Sequence, residues 1–208
     1  MFRSNRMIIG ALAVAALAGF ASAALAQAPY SEATPTKKEP LRFEAFAVQM
    51  QNGINGMVET TIERWTTEDE RNALVALLSK TTDRDSDQAK LVSALQKIKE
   101  RCGYLNLPNT MGWDIKYAYE ANLPDGSRQV VIITDRPTGF AMAASGNANE
   151  APLTMIEYRF PKGSNKGEGK LLASASLYVK NGRLEIGGYV NEPTRLTEVK
   201  EKNPKVKK

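Results

Sequence analysis

Trp113-Asp114-Ile115-Lys116-Tyr117-Ala118-Tyr119-Glu120-Ala121-Asn122-Leu123 alternates large apolar residues with smaller or charged ones, and Pro124-Asp125-Gly126 then turns the chain. A period of two predicts a strand with one face on a core. The chain returns as Val130-Val131-Ile132-Ile133. This run is apolar on both faces, so both of its sides must be covered. Further strand patterns follow at Thr154, Ile156, Tyr158 and Phe160, and at Leu171, Ala173, Ala175, Leu177 and Val179. Asn181-Gly182 favours a tight reversal onto residues 183–190, and a last short strand is expected near 195–199. Gly163-Ser164-Asn165-Lys166-Gly167-Glu168-Gly169-Lys170 resembles a phosphate loop, but no Ser or Thr follows its lysine and it joins two strands. It reads as a hairpin loop.

Upstream, the runs 43–50 and 57–65 flank residues 51–56, whose two Asn-Gly pairs favour a reversal. Val58, Thr60 and Ile62 alternate with Glu59, Thr61 and Glu63. Thr67-Glu68-Asp69-Glu70 is a capping box, and its acids suit the positive end of a helix dipole. Leu74, Leu77 and Leu78 continue that helix to about Lys80. A second helix is expected from about Asp85 or Ser86, ending at Gly103 as its C′ residue. The aspartates at 83, 85 and 87 lack the Gly and Glu of a calcium loop, since Gln88 and Ala94 stand there, and serve as helix-capping residues. The fold class expected is α+β: a mainly antiparallel, strongly curved sheet or near-barrel of about eight or nine strands with an inserted helical hairpin. That hairpin is the natural cover for one side of 130–133.

The ends of the chain carry an address. Arg3 and Arg6 precede an uncharged apolar run from Met7 to Phe20, and Ala24-Leu25-Ala26 offers a signal-peptidase pattern. Residues 1–26 are therefore expected to be a signal peptide, with cleavage before Gln27 and a periplasmic or extracellular destination. Residues 27–40 read as a polar leader with prolines at 29, 35 and 40, residues 41–199 as a single β-rich domain, and 200–208 as a basic tail. Loss of the signal lowers the net charge from +5 to +3, with much of the excess in the lysines of the tail. Export and the interspersed acids argue against nucleic acid as a partner. The membrane is expected to be met only transiently, during export, and the protein to be a monomer.

The chain contains no histidine and one cysteine. Triads and dyads built on imidazole, zinc sites of the His-x-Glu type and thiolate clusters are thereby excluded. Hydrolysis by paired carboxylates is not. No metal or cofactor site is indicated. The spacing Leu91, Leu95, Ile98, Cys102 places the cysteine on the apolar face of the second helix, where a buried and unreactive thiol is expected.

Charge clusters at Glu63-Arg64-Trp65 and at Thr134-Asp135-Arg136-Pro137. These stretches read either as junction ion pairs or as a rim on which Arg64, Asp135 and Arg136 bind a polar or anionic ligand. Arg64-Trp65-Thr66-Thr67-Glu68-Asp69-Glu70-Arg71, Thr134-Asp135-Arg136-Pro137-Thr138-Gly139-Phe140 and Gly167-Glu168-Gly169-Lys170 resemble landmarks of a group of uncharacterised exported bacterial proteins. The resemblance spans roughly residues 43–199 and implies location and overall shape alone. The function expected is a non-catalytic exported domain binding a small molecule or a protein, with Trp113, Tyr117 and Tyr119 available to line a pocket. The rivals are a histidine-independent hydrolase and a structural or inhibitory module acting through its surface.

Overall fold

A computed structural model describes residues 34–49, 54–78, 84–107, 112–138, 153–172, 175–180, 183–189 and 193–202. The expected signal, most of the leader, residues 139–152 and the end of the basic tail lie outside them. In chain order the elements are β1 (Leu41–Gln49), β2 (Ile54–Ile62), α1 (Glu68–Leu78), α2 (Arg84–Lys97), β3 (Gly103–Asn106), β4 (Trp113–Asn122), β5 (Arg128–Thr134), β6 (Met155–Phe160), β7 (Lys166–Leu172), β8 (Ala175–Lys180), β9 (Arg183–Tyr189) and β10 (Thr194–Glu201). Eight strands close a barrel in the order β1-β10-β7-β6-β5-β4-β3-β2, and β8 and β9 form a separate two-stranded sheet. Every pairing is antiparallel. The near-barrel with an inserted helical hairpin is present, and it is closed. β10 runs two residues past the expected end of the domain, drawing Lys200 and Glu201 into the barrel.

The strand that decides the fold carries a fault in its alternation. On β4, Ile115 pairs with Thr134 and Tyr117 with Ile133, so Lys116 is an extra residue at a bulge. Beyond it the two faces exchange. Ile115 and Ala118 point into the barrel core, whereas Tyr117, Tyr119 and Ala121 lie outside, against Leu74 of α1 and Leu91 and Leu95 of α2. Trp113 packs against the barrel core instead. The expectation that Trp113, Tyr117 and Tyr119 share a face and line one pocket is thus corrected, because a single inserted residue reverses which side each faces. β5 behaves as its sequence implies: Val130 and Ile132 fill the barrel, and Val131 and Ile133 meet the helices.

The capping box forms at the start of α1. The Glu70 N–H donates to Thr67 Oγ1 at 3.2 Å, and the Thr67 N–H donates to Glu70 Oε2 at 2.9 Å. α2 stops at Lys97, well short of Gly103. The sheet claims the intervening backbone: the Cys102 N–H donates to Ile115 O at 2.7 Å, and Cys102 O accepts from the N–H groups of Glu63 and Arg64. Gly103 is required by close approach to β2, since a Cβ there would fall 1.9 Å from Thr61 O. Cys102 is therefore buried in the barrel core and not on a helix face.

An eight-stranded barrel is just wide enough for side chains to fill it, and here aromatic rings do so. Phe43 of β1 lies 5.4 Å from the Tyr158 ring and 5.7 Å from Phe160, both on β6. Tyr158 reaches across the lumen, where its hydroxyl meets Thr60 Oγ1 on the diametrically opposed β2 at 2.8 Å. Glycines opposite make the room: a Cβ at Gly169 would sit 2.9 Å from Tyr158 Cδ1, and one at Gly167 would sit 3.0 Å from Phe160 Cδ1. β7 is thus a strand through residues 166–170, where the sequence pattern suggested a loop. Its glycines face inward, and Lys166, Glu168 and Lys170 face outward.

Candidate functional site

A charged cluster lies in the lumen at the end bounded by the 122–128 turn and the end of β10. Arg128 of β5 pairs with Glu120 of β4 at 3.3 Å and with Glu201 of β10, and its guanidinium stacks 4.5 Å over the Phe160 ring. Both carboxylates are buried, with side chains 3 % exposed. Two buried acids share one arginine, whose guanidinium lies over a ring, and so form a clasp from β4 and β10 to β5. They do not flank an open cleft of the kind a glycosidase uses.

Arg64 lies at the junction of β2 and α1. Its guanidinium donates to Glu70 Oε2 at 2.7 Å and Oε1 at 2.9 Å, to Trp65 O at 3.2 Å and to Glu100 O at 2.5 Å. One side chain therefore ties the capping box of α1 to the chain leaving α2. Burial alone would raise the Glu70 carboxyl, but the Arg64 and Thr67 hydrogen bonds outweigh it and hold the group below the usual glutamate value. Next to it, Thr66 completes the edge of β4 where β3 ends: its N–H donates to Ala118 O and its hydroxyl accepts from the Ala118 N–H, both at 2.9 Å. Buried Cys102 has its Sγ 3.5 Å from Thr66 Oγ1 and from Lys116 O, and burial pushes the thiol up from its ordinary value.

Asp135 and Arg136 follow β5. Arg136 Nε lies 3.8 Å from Asp135 Oδ1, with the arginine side chain 61 % exposed, and Gln96 of α2 donates to Asp135 O at 3.4 Å. The three residues singled out from the sequence do not share one site: Arg64 is held by Glu70 and Glu100, while Asp135 and Arg136 lie against each other, with Gln96 on the Asp135 carbonyl. Among the described residues no group of three His, Cys, Asp or Glu side chains converges as a metal site.

The outer wall is uneven. The helical hairpin covers β4 and β5, joined there by Leu177 of β8. The wall formed by β2, β1, β10 and β7 is lined with exposed side chains. Phe46 and Met57, paired in register across β1 and β2, are 37 % and 45 % exposed. A groove of about 600 Å³ on the outer side of β6, β7 and β10 is lined by Glu157, Arg159, Glu168, Lys170, Pro193 and Arg195. A smaller one of about 290 Å³ lies further along β7 and β10, at Lys166, Glu198 and Lys200. Sequence reasoning missed this face. Its signal was the alternation of charge and glycine in Lys166-Gly167-Glu168-Gly169-Lys170, which is a period-two pattern with glycine in place of the apolar residue.

No family model, no curated protein and no solved structure matches this chain.

Proposed function

We propose that this chain is a non-catalytic exported binding module that engages its partner through the open outer wall of the barrel, β2-β1-β10-β7. Tyr158 carries this reading: it spans the lumen and ends on Thr60 of the opposite wall, which leaves the interior to side chains. The polarity of the barrel agrees with work in water. Apart from the Arg128 cluster and a few threonines its inside is apolar, and its open wall carries Arg42, Glu59, Lys170 and Lys200, the inverse of the outward apolar band of a membrane-spanning barrel. Phe46 and Met57 stand side by side on the same wall, the exposed apolar contact that a surface-acting module needs.

A photo-crosslinking side chain at Phe46 or Met57 in the native envelope tests the reading. Adducts are expected from both positions and not from Gln96 on the helical side. Absence of adducts at Phe46 and Met57, with a small molecule retained inside the barrel by native mass spectrometry, would overturn it.

A further inference from the structure

The outer faces of β7 and β10 place cations directly opposite one another twice. Arg195 pairs in register with Lys170, and Lys200 with Lys166. Like charges facing across an antiparallel pair repel, and none of these four makes an ion pair with a described residue. The acids opposite them on the flanking strands are committed elsewhere. Glu157, opposite Lys170 on β6, accepts from Gln129 at 2.7 Å and from Arg159 at 3.1 Å. Glu44, opposite Lys200 on β1, is held by Lys202 at 2.5 Å. Each cation pair lines its own groove.

We propose that these two pairs form a binding site for an acidic glycan: a sugar chain with carboxylates at intervals, lying along β7 and β10. The proposal deepens the surface reading above and rests on it. The pairs lie four residues apart on β7, which at strand rise is about 13 Å. Glu168 of β7 and Glu198 of β10 lie between them, Glu198 brought there by a bulge at which its φ is 53°. Two carboxylates in the middle repel a ligand of continuous negative charge. They accept hydrogen bonds from hydroxyls. The ligand that matches this order presents anion, hydroxyls, anion, as a sugar chain with spaced carboxylates does and a polyphosphate does not. The cations also stand in grooves, where a flexible chain reaches them more readily than a flat bilayer surface.

Hyaluronan oligosaccharides, with a carboxylate on every second sugar, provide the probe, and binding to the full chain is read by calorimetry at low salt. The doubles Lys170→Ala/Arg195→Ala and Lys166→Ala/Lys200→Ala should each weaken binding about tenfold, and raising the salt should weaken the wild type. Lys170→Glu should do the same, because it reverses the charge at the first pair. No binding of the oligosaccharide, equal binding by the doubles, or equal or tighter binding of polyphosphate or phosphatidylglycerol vesicles would overturn the glycan. If crosslinking from Phe46 persists in such a case, the surface reading stands without it.

Discussion

Tyr158→Ala is the sharpest perturbation of the filled lumen. The ring is fully buried, stacks on Phe43 and donates or accepts at Thr60 across the barrel. Removing an aromatic side chain from a packed core costs about 3–5 kcal/mol. Thr60 is itself buried, so the loss of its partner adds about 1 kcal/mol or more. Tyr158→Phe separates the two contributions: it keeps the ring and should cost only about 1–2 kcal/mol. With total stability on the order of 5–15 kcal/mol, the alanine variant should unfold at much lower urea, and its melting temperature should fall by roughly 10–15 °C. Urea titrations and thermal melts, each followed by circular dichroism and by tryptophan fluorescence, give both numbers. A cost below about 1 kcal/mol for Tyr158→Ala would mean that the ring stands in free space, and the reasoning that closes the lumen would fail.

Arg64→Ala should destabilise by about 2 kcal/mol, between the values for exposed and for buried pairs, and a double-mutant cycle with Glu70→Ala should return most of that as coupling. The pH dependence has a fixed sign: the folded Glu70 carboxyl titrates below its ordinary value of 4.5, so its contribution is complete above that pH and fades as pH falls through the lower folded value. Arg64→Ala should therefore lose less stability on acidification than the wild type, as acid-range urea titrations can show. Arg136→Ala should move stability by no more than about 1 kcal/mol, because its pair with Asp135 is long and the arginine itself is exposed; a larger loss would mean that the Asp135 carboxylate depends on it. Cys102 should react with a thiol reagent only in denaturant, and labelling of the folded protein at the rate of a free thiol would contradict its burial.

Most of the barrel was legible because its strands obey simple alternation, and α1 announced itself through its capping box. The bulge at Lys116 was not legible. Nothing local distinguishes a strand with one inserted residue from one without, since the fault shows only in the pairing with β5. The end of α2 was missed for a related reason: Leu95, Ile98 and Cys102 keep helical spacing, but the backbone at Cys102 is taken by Ile115 and Glu63, far away in sequence. The glycines of β7 misled in the other direction. They look like loop residues until the rings of Tyr158 and Phe160 occupy the space their missing side chains leave. Of the candidate residues, Arg64 proved to be held by Glu70 and by the carbonyls of Trp65 and Glu100, and the cation pairs on β7 and β10 became visible only once register set them opposite each other.

A methyl-resolved NMR titration with the acidic oligosaccharide tests most directly whether binding uses the outer wall and leaves the lumen closed. Shifts are expected at Met57, Val48 and Thr197, which lie on that wall, while Ile132, Ile156 and Leu171 inside the barrel stay in place. Movement of the interior methyls with the outer ones unchanged would contradict both the filled lumen and the surface on which the function is placed.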